Sequence, residues 1–308
     1  MRLAALTAAG LLATTSIAAA QTALGPLVTP EELQGALDDV RVIDIRPEGA
    51  FGDGHIGDAV VAPYALFRGP EENPGQIVPA DDLQQAYRDL GLSLDDHVVI
   101  SYAGSDISDF GAAARVYWTL KSSGFENLSI LNGGIAAWTE AGLELDDEVT
   151  SPEASQIEVT WSPEWTASAE DVQQVLNGED EALLLDARPE GFWSGNQSHP
   201  SAAKPGTLPQ SEYFEHAGWF AEGPAIIDAS AARSLADEQN FSDAGSIISF
   251  CNTGHWAATN WFALSELAEV GDVKLYPESM VGWSNAGYEM ANVPGPLKTL
   301  WNNITSAF

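Results

Sequence analysis

Two segments of this chain, 142 residues apart, carry almost the same six residues: Asp44-Ile-Arg-Pro-Glu-Gly49 and Asp186-Ala-Arg-Pro-Glu-Gly191. Each follows a short apolar run, residues 40–45 and 182–185. The phase then holds along the chain, with 99–102 set against 247–250, 129–131 against 273–276, and Trp138 against Trp283, an offset of 145. A drift this small is that of a duplicated unit with minor insertions. Within each unit, short apolar strands alternate with stretches of helical periodicity, so each copy is expected to be an α/β domain, an open parallel sheet with helices on both faces.

Helix starts recur at the head of each copy. Thr29-Pro30-Glu31-Glu32 and Ser168-Ala-Glu-Asp171 both place a hydroxyl three residues before an acid, the pattern of a capping box. A further helix is expected over 81–90, ahead of a strand at 98–102. The charged, small-residue stretch from Glu144 onward reads as a linker. The expected division is therefore a first domain over 21–145, a linker over 146–165, a second domain over 166–296 and a tail over 297–308.

The copies differ most after the strand at 247–250, where the chain reads Cys251-Asn-Thr-Gly-His-Trp256 and then Ala-Ala-Thr-Asn-Trp-Phe. Cys251 is the only cysteine of 308 residues. Ala257, Trp261 and Leu264 recur at helical spacing, so the thiol is expected just before a helix N-terminus, where free N–H groups favour negative charge. Gly254 allows the tight turn that points successive N–H groups inward. With Tyr102 set opposite Phe250, Ala103 stands where Cys251 stands, and only one copy has the thiol. A buried structural cysteine is the competing reading of the same pattern.

Composition narrows the alternatives. One cysteine excludes an internal disulfide and any multi-cysteine metal site, and the five histidines show no paired ligand spacing. Forty-five acidic against twelve basic side chains give a net charge of −33, which repels nucleic acid and anionic lipid. An excess this large also suits saline surroundings. Arg2, the apolar run from Leu3 and Ala18-Ala19-Ala20 form the pattern of a secretory signal over 1–20, so a periplasmic or secreted protein without a membrane anchor is expected.

Taken in order, the Asp-x-Arg pairs, Gly54-His55-Ile56, Asn132-Gly133-Gly134 with Trp138, and the six-residue loop from Cys251 to Trp256 resemble the rhodanese family, in particular its tandem two-domain sulfurtransferases. The resemblance covers nearly all of the chain beyond the signal. It implies two rhodanese-like domains, the first non-catalytic and the second catalytic, and a sulfurtransferase that needs no metal or organic cofactor. Cys251 would take the outer sulfur of thiosulfate or a similar small donor as a persulfide and pass it to cyanide, a thiol or a periplasmic protein acceptor. The loop Asn252, Thr253, Gly254, His255, Trp256 and Ala257 would cradle the persulfide through its N–H groups.

The resemblance makes Arg188 a substrate-side residue, although a salt bridge is its competing role because Arg46 holds the same place in the other copy. His255 either orients a donor or is solvated, and Trp256 either packs the loop or walls the substrate. Lys204, one of four lysines, adds positive charge near the site or is an ordinary surface residue. Several family features are missing. The loop has no Arg or Lys, the Gly-Ser-Gly-Val-Thr pattern of mercaptopyruvate-using members is absent, and Phe192-Trp193 stand where a second arginine is common. The alternative is a sulfur carrier charged by a partner protein. The related cysteine phosphatases are set aside, because Ala257 and Ala258 stand where their phosphate-holding arginine is needed.

Overall fold

The computed structural model describes residues 24–295. The expected signal and the tail lie outside them. Among the described residues no helix is long and apolar enough to cross a membrane.

The first half builds a five-stranded, all-parallel sheet from β1 (Leu27–Val28), β2 (Arg41–Asp44), β3 (Val60–Val61), β4 (Val98–Ser101) and β5 (Leu128–Leu131), in the order β1-β5-β4-β2-β3. The second half repeats it with β6 (Leu183–Asp186), β7 (Glu212–Tyr213), β8 (Ile247–Phe250) and β9 (Val273–Leu275), in the order β7-β6-β8-β9. Thr166 adds a single parallel bridge to Leu275, in the place that β1 fills in the first half. Both expected capping boxes are present, at Thr29 and Ser168. The helix expected over 81–90 runs from Ala80 to Asp89.

The apolar strands do not alternate because both of their faces are buried. Val98 and Ile100 of β4 turn into a central core, whereas Val99 turns into an outer one with Val42, Leu131 and Trp138. In the second half Ile247 joins the same central core, while Ile248 and Phe250 face an outer core with Trp283. The central core is thus continuous through both halves.

Its axis is the contact between two equivalent helices, Asp109–Ser122 after β4 and Trp256–Phe262 after β8. Phe262 meets Phe110 and Tyr117 edge to face, at ring distances of 5.4 and 5.1 Å. At the rim Glu266 accepts from Tyr117 Oη (2.9 Å) and pairs with Lys121 Nζ (2.8 Å).

Within this interface Arg115 is buried. Its guanidinium donates to the carbonyls of Gly75, Thr253 and Gly254 at 3.0 to 3.5 Å and lies 4.8 Å from the Trp118 ring. One first-half side chain therefore ties the first half's own 70–79 loop to the cysteine loop. Replacing Arg115 by Met keeps most of the apolar stem and strands three carbonyls. Urea unfolding of Arg115→Met is expected to show a loss of about 2–4 kcal/mol.

Candidate active site

Cys251 follows β8 directly. Its N–H donates to Ser279 Oγ (3.0 Å), and its carbonyl accepts from Met280 N (3.1 Å). The thiol is only 1% exposed, yet it lines a cavity of about 380 Å³ together with Arg68, Pro74, His199, Asn252, Thr253, His255 and Trp256. Those partners come from both halves of the chain.

The loop takes the expected tight form. Gly254 has φ of +68°, and a Cβ there would stand 2.6 Å from the Pro277 carbonyl and run into the Arg115 guanidinium. Only glycine fits this position. Among the described residues, the N–H groups of Asn252, Thr253, Gly254 and His255 find no acceptor in the protein. Successive free N–H groups in a turn form an anion-binding concavity. Gly254 and Ala257 shape it without lining the cavity; Ala257 already lies in the first turn of the helix, with its carbonyl accepting from Ser249 Oγ (3.0 Å).

His255 is held by the first half. Its Nε2 is 2.9 Å from the Ser108 carbonyl, which can only accept, so Nε2 carries the proton and Nδ1 accepts from Tyr64 Oη at 3.0 Å. Burial first, then the Arg68 charge, pushes its pKa down to about 3, so the ring is neutral near pH 7. Both ring nitrogens are bonded within the protein, so His255 neither is solvated nor has a ring nitrogen free to orient a donor. Trp256 packs the loop, as expected, and lines the cavity. Its indole N–H donates to Ser108 Oγ (2.8 Å), and the ring stacks on His216 at 5.1 Å.

Arg188 and Lys204 are not where the resemblance put them. Arg188 is 3% exposed and its guanidinium is fully occupied, by Asp186 (2.6 and 2.9 Å), the Gly206 carbonyl (2.9 Å) and Asn252 Oδ1 (3.2 Å). Arg46 makes the same closure with Asp44 and the Gly54 carbonyl, both at 2.7 Å. The repeated Asp-x-Arg thus pins one loop in each half, and Arg188 reaches the cysteine loop only through Asn252. Lys204 is exposed and does not line the cavity.

The sheet register also corrects the pairing of the copies. Asp44 pairs with Ser101 and Asp186 with Phe250, so Ser101 is the equivalent of Phe250. Tyr102, not Ala103, then occupies the place of Cys251. The following bonds agree: Ile135 N donates to the Tyr102 carbonyl as Met280 N does to that of Cys251, and Ala136 N to Ala103 as Val281 N to Asn252. The non-thiol copy has a buried phenol ring at the position of the thiol.

Three residues of the site lack any local signature in the sequence: Arg68, His199 and Arg115. Arg68 follows a short 3-10 turn, Tyr64–Phe67, of the first half and lines the cavity beside Cys251. His199 accepts from Ser201 N at Nδ1 (3.2 Å), and burial, reinforced by Arg68, lowers its pKa.

Comparison with known proteins agrees with this architecture. Residues 29–141 match the rhodanese-like domain. The chain is 26% identical over 276 residues to a putative thiosulfate sulfurtransferase, SseB, of Mycobacterium tuberculosis, covering 84% of this chain and 94% of that protein. It is 27% identical over 233 residues to the 3-mercaptopyruvate sulfurtransferase of Escherichia coli K12, covering 75% and 80%. Residues 29–141 thus form a rhodanese-like domain, and similarity to sulfurtransferases extends over most of the chain. In fold the chain is similar to the anaerobic ergothioneine biosynthesis enzyme of Chlorobium limicola, with a TM-score of 0.76 at 18% identity over 88% of this chain and 71% of that one. The family match falls in the half without the thiol, whereas the cavity belongs to both halves.

Two outcomes test this geometry. Gly254→Ala is expected to cost roughly 1–3 kcal/mol in thermal or urea melts, because the new Cβ meets backbone at a left-handed φ. It should also slow alkylation of Cys251. Burial lowers the pKa of His255, His199 and His216, so below the unfolded value of about 6.5 the unfolded chain binds more protons and stability is lost as pH falls. His255 alone contributes up to about 1.4 kcal/mol per pH unit through that window. His255→Gln should therefore flatten the decline in Tm between pH 6.5 and 4.5 relative to the parent.

Proposed function

We propose that this sulfurtransferase works by double displacement through a persulfide on Cys251, with thiosulfate or a similar small anion as donor. The observation that carries this reading is the Cys251 cavity. The chain's only thiol lines an open-mouthed hollow beside unpaired N–H groups of its loop, and none of the eight lining residues is a carboxylate. In a chain with 45 acidic residues, that exclusion suits an anionic sulfur species.

In the first half-reaction the Cys251 thiolate attacks the outer sulfur of thiosulfate. A Cys251 Sγ–S bond forms, the S–S bond of the donor breaks, and sulfite leaves with the bonding pair. In the second, cyanide or a thiolate attacks the outer persulfide sulfur, and Cys251 leaves as thiolate. The N–H groups of Asn252 to His255 stabilise the negative terminal sulfur between the two steps. Tyr64 and Ser108 hold His255 so that the concavity is formed before the donor arrives.

Intact-mass measurement of the reduced protein after brief exposure to thiosulfate, and separately to 3-mercaptopyruvate, tests the mechanism. The parent is expected to gain the mass of one sulfur and to lose it to cyanide, whereas Cys251→Ser gains none. A parent that takes sulfur from neither donor but accepts it from a protein persulfide would replace this reading with that of a carrier.

A further inference from the structure

Most cations near the cysteine loop are already committed. Arg188 is held by Asp186 and two further acceptors, and Arg115 by three carbonyls. Arg68 is different. It lies alongside Tyr64, with its guanidinium carbon 5.2 Å from that ring, and it lines the cavity with Cys251. Its Nη1 is buried and has no hydrogen-bond partner, and among the described residues Arg68 takes part in no ion pair.

A buried guanidinium nitrogen without an acceptor is costly to maintain, and an anion entering the cavity relieves that cost. The planar fork suits the coplanar oxygens of a sulfonate or carboxylate head. The two histidines of the cavity are neutral near pH 7 and the cysteine loop has no cation, so Arg68 is the one full positive charge on its lining.

We propose that Arg68, supplied by the first half, is the anion grip of the site in the second half, holding the oxygen head of an anionic sulfur donor while the donor's outer sulfur faces Cys251 Sγ. This rests on the persulfide-transfer reading for its consequence, although anion binding by Arg68 does not need turnover. Thiosulfate, thiosulfonates and 3-mercaptopyruvate share the required head, whereas an alkyl hydropersulfide has no oxygen head for the guanidinium fork to hold. With thiosulfate, the sulfur–sulfur bond breaks toward the grip. Sulfite then departs with the bonding pair while still paired with Arg68, and no oxidant or reductant is consumed. The non-thiol half is thereby a donor-binding element.

The test compares parent, Arg68→Gln and Arg68→Lys in two measurements. Calorimetric titration with sulfite reads the grip without chemistry; single-turnover charging, followed by mass, uses thiosulfate and the hydropersulfide of 2-mercaptoethanol, which has no oxyanion head. Arg68→Gln is expected to weaken sulfite binding and to raise the thiosulfate concentration for half-maximal charging, each by roughly 10- to 100-fold. Charging by the headless hydropersulfide should fall by much less, within about threefold of the parent, a pattern that loss of structure alone would not give. Arg68→Lys should recover part of the loss through its charge. Sulfite affinity and thiosulfate charging within about twofold of the parent in Arg68→Gln would overturn the assignment. If the parent binds sulfite through Arg68 but is charged by neither donor, the grip stands and the transfer reading falls.

Discussion

The structure depends on the packing of the Asp109–Ser122 helix against its repeat counterpart, Trp256–Phe262, with Arg115 buried at their contact. Because the two helices share one continuous core, the two sheets bury their facing sides together, while each keeps an outer core of its own. The contact also determines where loops meet. It brings the 3-10 turn ending at Phe67, the loop at Gly75 and the start of the Asp109–Ser122 helix over the strand end that carries Cys251. The Arg115 guanidinium, bonded only to carbonyls, has its pKa pushed down to about 9 by burial and by Arg68. It stays a cation near pH 7 and supplies positive charge behind the loop.

Duplication explains what the two halves share, and divergence explains what they do. Asp44–Arg46 and Asp186–Arg188 are the same buried pair making the same loop closure. Buried pairs of this kind contribute specificity more than net stability, because desolvation offsets much of their attraction. The thiol copy adds one link, from Arg188 to Asn252, which positions the first residue of the cysteine loop. The other copy places Tyr102 at the position of Cys251, its hydroxyl accepting from Gly133 N at 3.2 Å. That half has no thiol, but it supplies Arg68 and Pro74 to the cavity beside Cys251.

Charge is distributed accordingly. A net charge of −33 opposes the approach of any anion, yet the cavity walls hold no carboxylate and one arginine. That arginine is half-buried with its Nη1 shielded from solvent, and a charge partly withdrawn from bulk water is screened less by salt than the exposed carboxylates, which are screened within about 10 Å at 0.1 M ionic strength. An acidic exterior and a cavity lined by an arginine and no carboxylate are therefore compatible.

Much of this was legible in the linear sequence. The duplicated strand ends, the capping boxes at Thr29 and Ser168, the two-sided burial of the strands and the glycine at 254 follow from local rules of hydrogen bonding, periodicity and backbone sterics. The placement of Cys251 and its loop between a strand and a helix was legible for the same reason, since it is a local arrangement. The pairing of Tyr102 with Cys251 was not, because a register shift of one residue leaves the apolar pattern of a doubly buried strand almost unchanged. Nor were the contributions of Arg68, Arg115, Tyr64 and Ser108, or the satisfied state of Arg188. Those depend on how the two halves pack. Contacts such as Tyr64 with His255, 191 residues apart, are set by the shared core and by the desolvation of groups that no local spacing reveals.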